Sequence, residues 1–226
     1  AQYKMKELKK RIVTSIFLVA LLLLMYLYSY ILIISLFIIS IIVWIEFLGL
    51  ISKIFKKKDF KNRILKFFFK SLSLIYLFFL SSLIVYVFLT DNQYRTFIIL
   101  SFFVAIASDI GGMLFGKFFK GKKLTKISPK KTVSGCIGSF IFSMLLIIPF
   151  YQNFENYHFI GISFFIIFIS LISQIGDLSI SFLKRKANVK DTSDILPGHG
   201  GFLDRIDGII FAVPVGFLLS KLMFLS

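Results

Sequence analysis

The sequence predicts an all-α, polytopic integral membrane protein of about seven transmembrane helices, with its N-terminus inside and its C-terminus outside. Three observations predict it. Of 226 residues, 58% are hydrophobic and the mean hydropathy is +0.89, whereas an ordinary soluble domain is roughly 45–50% apolar. Uncharged apolar runs of ~18 or more residues, long enough to read as spans, recur along the chain. Basic residues gather in alternate connections between those runs.

The helices fall at 12–28, 31–51, 72–89, 96–115, 133–150, 159–180 and 208–225, close to the ~20 residues that cross a hydrocarbon core. The first run follows a basic N-terminus, as a signal peptide would. No small-residue cleavage motif comes after it, so it reads as a retained span. Ser29-Tyr30 joins the first two helices in a tight hairpin, and residues 64–70 read as an interfacial lead-in to the third. No internal repeat and no Pro/Ser-rich linker divides the chain, which reads as one domain, 1–226.

Charge sets the orientation. Lys4, Lys6, Lys9, Lys10 and Arg11 precede the first helix, and Lys53, Lys56, Lys57, Lys58, Lys61, Arg63, Lys66 and Lys70 separate the second from the third. Lys117, Lys120, Lys122, Lys123, Lys126, Lys130 and Lys131 follow the fourth; Lys184, Arg185, Lys186, Lys190 and Arg205 follow the sixth. The alternate connections hold only Arg95, with Lys221 near the far end of the last helix. All four basic regions therefore belong on the cytoplasmic side. Topology and anionic-lipid contact account for most of the net charge of +16, and no nucleic-acid partner is needed to explain it. The single cysteine, Cys136, cannot form an internal disulfide, and nothing marks it as a nucleophile.

Against this background the polar residues inside or beside apolar helices stand out, because intramembrane charge needs a partner, water or a proton. Glu46, in WIEFLGL, suits a structural pairing slightly better than direct chemistry. Asp109, in ASDIGGMLFGK, is followed by Gly111, Gly112 and Gly116, which admit either a ligand or another backbone. Asp177, Ser181 and Lys184 have i, i+4, i+7 spacing and share one helix face with Gln174 and Gly176 nearby. A carboxylate, a hydroxyl and an ammonium in that order suit a metal and the phosphate it holds. In LPGHGGFLDRIDG, Pro197, Gly198, Gly200 and Gly201 form a turn whose N–H groups can face an anion. Asp204 and Asp207 follow at i, i+3 on the first turns of the seventh helix, with Arg205 alongside. Helix capping would explain one of these carboxylates but not both.

Hard oxygen donors among basic residues point to Mg²⁺ holding phosphates. Zinc is disfavoured, since the chain offers only His158, His199 and one cysteine. No P-loop or dinucleotide fingerprint occurs, and no serine sits in a nucleophile elbow. A second candidate site is the loop 127–132, ISPKKT, where Lys130 and Lys131 follow Pro129 and precede a helix start.

The segment 181–207 resembles the signature of the phosphatidate cytidylyltransferases (CDP-diacylglycerol synthases). The matching residues are Ser181, Lys184-Arg185, Lys190-Asp191, Pro197, His199-Gly200-Gly201, Asp204-Arg205 and Asp207. Gln174-x-Gly176-Asp177-Leu178, Ser128-Pro129-Lys130-Lys131-Thr132, Asp109 with its glycines, and Glu46-Phe47 are similar to the family as well. The signature-bearing part is 105–215. The chain departs from the pattern at Ser134, where the family has Glu, at Gly138-Ser139, and at Asp109-Ile-Gly-Gly-Met. It is also short for the family at its N-terminal end.

The resemblance implies Mg²⁺-dependent transfer of a cytidylyl group from CTP to phosphatidic acid, giving CDP-diacylglycerol and pyrophosphate. It implies Asp177 and Asp204 as metal ligands, with Ser181, Lys184 and Asp207 in support or in phosphate contact. Lys130, Lys131 and Arg205 would stabilise phosphate charge, while His199 would donate to a phosphate or orient its loop. Asp109, Arg185, Lys190, Asp191, Gly200 and Gly201 complete the implied substrate-binding set. A homodimer in a bacterial inner membrane, with its active site facing the cytoplasm, is also implied. The alternatives are a CTP-dependent lipid kinase, a cytidylyltransferase for another lipid and, from a different class, a transporter. The aspartates cluster at cytoplasmic helix ends rather than mid-membrane, unlike a transport pathway. The resemblance predicts that Asp177→Asn and Asp204→Asn each abolish turnover and leave membrane insertion intact. Near-normal cytidylyl transfer by either purified variant would remove the metal assignment.

Overall fold

A computed structural model describes every residue except Ala1, Lys58, Asp91, Lys126, Ile127, Pro129, Lys130, Asn156, His199, Leu225 and Ser226, and not the side chains of residues 2–7 and 92. The fold is all-α, and among the described residues seven helices are long and apolar enough to cross a membrane. In chain order the helices are α1 (Gln2–Leu27), α2 (Ser29–Ile54), α3 (Phe60–Thr90), α4 (Asn92–Phe119), α5 (Val133–Met144), α6 (Ile147–Phe150), α7 (Phe159–Lys186), α8 (Leu203–Ile206) and α9 (Ile209–Phe224).

Several helices run past the apolar limits expected from the sequence. α1 begins ten residues before Ile12, α3 absorbs the expected lead-in at 64–70, and α7 extends to Lys186. Apolarity marks where a helix lies in lipid, not where it ends. Lysine and arginine are good helix formers whose stems can cover apolar surface. The fifth span is broken: α5 stops at Met144, two turn residues follow, and α6 leads into a 3₁₀ turn at Tyr151–Phe154. Pro149 supplies the reason, because its ring opposes the carbonyl four residues back, at Leu145. The last span is likewise divided, with Asp207 and Gly208 in a turn between α8 and α9. Asp204 therefore sits on a single helical turn, and Asp207 just beyond it.

The chain forms two compact units, Ala1–Leu89 with Leu183–Arg205, and Thr90–Phe182 with Ile206–Ser226. In the first, Val43, Glu46 and Leu50 recur at i, i+3, i+7 on the buried stripe of α2. The hydroxyls of Ser40 and Ser81 meet at 2.7 Å between α2 and α3, and the Trp44 indole donates to the Lys70 carbonyl at 3.3 Å.

In the second unit, Phe97, Leu100, Val104, Phe165, Ile166 and Ile169 form a core between α4 and α7. Phe97 packs at 5.0–5.6 Å ring separation on Phe154, Tyr157, Phe165 and Phe224. α4 and α5 meet through small residues, which let helix backbones approach closely in a bilayer. A Cβ on Gly111 would lie 2.5 Å from the Gly138 carbonyl oxygen, and one on Gly112 would lie 2.8 Å from Ser139 Oγ. The Ser139 hydroxyl then donates to the Ser108 carbonyl at 2.7 Å. Gly111 and Gly112, open to either reading in the sequence, serve the approach of another backbone.

That contact predicts Gly111→Val to be overpacked by roughly 1–3 kcal/mol. At ~2–4 °C per kcal/mol for a chain of this size, thermal unfolding in detergent should fall by several degrees. Gly49, with nothing within 4 Å of an added Cβ, should accept Ala with no loss.

Candidate functional site

In the first unit the site is built around two carboxylates, Glu46 of α2 and Asp204 of α8, that share the donors of one loop. α7 ends in a left-handed cap: Asn188 takes φ +54°, Asn188 N–H donates to the Arg185 carbonyl, and Val189 N–H donates to that of Lys184. Asparagine tolerates this conformation because its short polar side chain can bond locally. The chain then closes a tight turn, with Leu196 N–H donating to the Gly200 carbonyl at 2.9 Å. Gly198 and Gly200 take φ +77° and +82°, a region few side-chain-bearing residues adopt. The Pro197 carbonyl accepts from Thr14 Oγ1 of α1 at 3.1 Å. His199 and Lys130 lie outside the described residues.

Glu46 reaches this loop from α2 and is only 3% exposed. Its Oε1 accepts from Ser193 Oγ at 2.5 Å and Phe202 N–H at 2.9 Å. Its Oε2 accepts from Thr192 Oγ1 at 3.0 Å and Leu203 N–H at 2.7 Å. Four neutral donors thus meet a buried carboxylate, as a charge out of water requires. Gly201 makes room for it, since a Cβ there would lie 2.8 Å from both Glu46 oxygens.

Asp204 is the second carboxylate. Lys184 Nζ donates to Oδ1 at 2.7 Å, while Oδ2 accepts from Thr192 N–H at 2.8 Å, Thr192 Oγ1 at 3.0 Å and Gly201 N–H at 3.1 Å. The side chains of Lys184 and Asp204 are 15% and 6% exposed, so the pair is largely shielded from water. Of the residues singled out in the sequence, the fold brings Lys184, Gly201 and Asp204 into direct contact. Arg185, Lys190, Asp191 and Arg205 lie exposed along the same segment.

In the second unit Asp177 forms an ion pair with Lys131 and accepts from Ser181 Oγ at 3.2 Å. The helical spacing that linked Asp177 to Ser181 is realised as a bond. Lys131 is placed by an antiparallel bridge between Lys123 and Thr132, after which Thr132 caps α5 by accepting from Gly135 N–H at 3.1 Å. Asp207 is buried and accepts from Gly208 N–H at 2.9 Å. Gly176 lets that turn approach α7, since its Cβ would lie 2.8 Å from the Asp207 carbonyl oxygen. Asp109 lies exposed on α4.

Thr192 and Ser193 were not singled out in the sequence. Hydroxyls in a short polar loop carry no periodic signal, and only an acceptor from a distant helix gives them meaning. Among the described residues no three His, Cys, Asp or Glu side chains converge as a metal cage. The carboxylates present fit Mg²⁺ none the less, because that ion takes one or two of them and fills its shell with water and phosphate oxygens.

A model of the cytidylyltransferase family matches residues 2–223. The phosphatidate cytidylyltransferase of Rickettsia felis is 46% identical over 149 residues, covering 62% of this chain and 65% of that relative. The proteins of the same name from Synechocystis sp. and Staphylococcus haemolyticus are 36% and 37% identical, covering 55% and 58% of this chain and 43% and 51% of theirs. The matches to these relatives thus span less than two thirds of their length.

The packing around Gly201 predicts that Gly201→Ala forces Glu46 or Thr192 aside, at a cost of roughly 1–3 kcal/mol. Thermal unfolding of the purified protein should register that loss, and Gly201→Ser should be no milder.

Proposed function

The chain belongs to the cytidylyltransferase family, and on that premise we propose that it transfers the cytidylyl group of CTP to phosphatidic acid, releasing pyrophosphate. The observation that carries the reading is the pairing of the two candidate metal ligands with lysines, Asp177 with Lys131 and Asp204 with Lys184. A carboxylate suits a cation, and an ammonium suits a phosphate oxygen. A metal–phosphate substrate can therefore exchange with either pair without stranding a charge, which in a low-dielectric setting would be costly.

Asp177 and Asp204 are the residues that would hold Mg²⁺. When bound, the ion supplies positive charge against the triphosphate oxygens. The remaining work falls to the chain. Lys131 and Lys184, with Lys130 and Arg205, hold phosphate oxygens and offset the negative charge that gathers during transfer. Ser181 orients Asp177 through its hydroxyl. The phosphatidate oxygen forms a bond to the α-phosphorus of CTP as the bond to the β,γ-pyrophosphate breaks. No side chain need remove a proton, because a phosphate monoester is already largely ionised near neutral pH.

The basic connections are proposed to face the cytoplasm, where CTP is dissolved, leaving the acyl chains in lipid. The reading includes a homodimer in a bacterial inner membrane, on the strength of the resemblance.

Purified protein should incorporate label from α-labelled CTP into lipid only when Mg²⁺ and phosphatidate are both present. Chelation of Mg²⁺ or omission of phosphatidate should abolish incorporation. Transfer of γ-label alone would identify a lipid kinase, and absence of any transfer would reject the reading.

A further inference from the structure

We propose that Glu46 is a positioning residue for the reaction, setting the place of Asp204 through Thr192 and the 201–203 backbone. The inference rests, for its activity arm, on the cytidylyl-transfer reading above.

The geometry distinguishes Glu46 from an ordinary buried acid. Two of its four donors are hydroxyls, which can rotate and become acceptors. The other two are the backbone N–H groups of Phe202 and Leu203, one on each carboxylate oxygen. A backbone N–H cannot reverse. A glutamine in the same position has one acceptor oxygen and one NH₂ group, so in either orientation one backbone N–H faces another donor. The site therefore demands a carboxylate, although no cation pairs with it among the described residues.

What Glu46 holds is next to Asp204. Thr192 Oγ1 lies 3.0 Å from both Glu46 Oε2 and Asp204 Oδ2, and its single proton can serve only one at a time. The Thr192 N–H is committed to Asp204 Oδ2 at 2.8 Å, and the Gly201 N–H reaches the same oxygen at 3.1 Å. Gly201 is bonded directly to Phe202, whose N–H is on Glu46. Thus three of the four donors that orient Asp204 belong to residues tied to Glu46 or covalently adjacent to one that is. Lys184 is the fourth. Release of Glu46 should leave the Asp204–Lys184 pair formed but free to swing with its loop.

The test compares Glu46→Gln, Thr192→Val and Thr192→Ser with the unmodified protein, reading trypsin cleavage without substrate and steady-state kinetics with it. Lys190 is exposed on the loop, and Lys122 and Lys123 are exposed on a separate connection. Glu46→Gln and Thr192→Val should speed cleavage after Lys190 by about fivefold or more, with cleavage after Lys122 and Lys123 unchanged. Both should lower kcat by about tenfold, with the KM for CTP within about threefold, since the interaction acts on the transition state rather than on uniform binding. Thr192→Ser keeps the hydroxyl and should stay within about twofold of the unmodified protein in both measurements. Faster cleavage with unchanged kcat would overturn the proposal, as would equal acceleration at every site or unchanged cleavage in Glu46→Gln. If Glu46→Gln does not insert, Thr192→Val decides by the same criteria. If the unmodified protein transfers no CMP, the cytidylyl-transfer reading fails while the site-selective cleavage still decides whether Glu46 holds the loop.

Discussion

The buried carboxylate of Glu46 is the constraint on which the first unit turns. A charge in the middle of an apolar stripe is tolerated only where donors surround it, and α2 has none of its own to offer, since its backbone N–H groups are engaged within the helix. The donors come instead from a loop well over a hundred residues later. Folding that loop onto α2 satisfies Glu46 and, in the same act, gathers the backbone groups that hold Asp204. Stability and the geometry of the candidate site thus share one set of hydrogen bonds.

Glycine serves the fold in three physically separate ways. At Gly198 and Gly200 it permits positive φ, which closes the turn. At Gly201 it leaves space for a carboxylate, where any Cβ would collide with Glu46. At Gly111 and Gly112 it allows two helix backbones to approach, in a medium where packing rather than hydrophobic burial drives helix association. The sequence groups Gly201 with the turn glycines Gly198 and Gly200. Only their neighbours separate a conformational need from a steric one.

The charged residues divide along the same line. Most of the basic excess marks connections and lies exposed, as topology signals do. Lys131 and Lys184 differ, each being matched to an aspartate. A matched pair can be held at a membrane edge without a stranded charge. Paired in this way, charged side chains are accommodated in a chain that is 58% hydrophobic.

Hydropathy and charge spacing are local properties, and from them the sequence alone determined the all-α class, the number of spans and the shared face of Asp177, Ser181 and Lys184. The motif at 181–207 was equally legible, because fixed spacing survives without knowledge of the fold. Local rules also held information that apolarity obscured: Pro149 marks the break after Met144, yet the run reads as one span when judged by hydrophobicity. Tertiary structure decided what spacing cannot express. It decided that Lys184 meets Asp204, that Gly111 receives a backbone, and that Thr192 and Ser193 matter because Glu46 lies 146 and 147 residues away in sequence but within hydrogen-bond reach in space. A periodic pattern records which face of a helix is apolar. Which donor completes a buried acceptor depends on where distant parts of the chain come to rest.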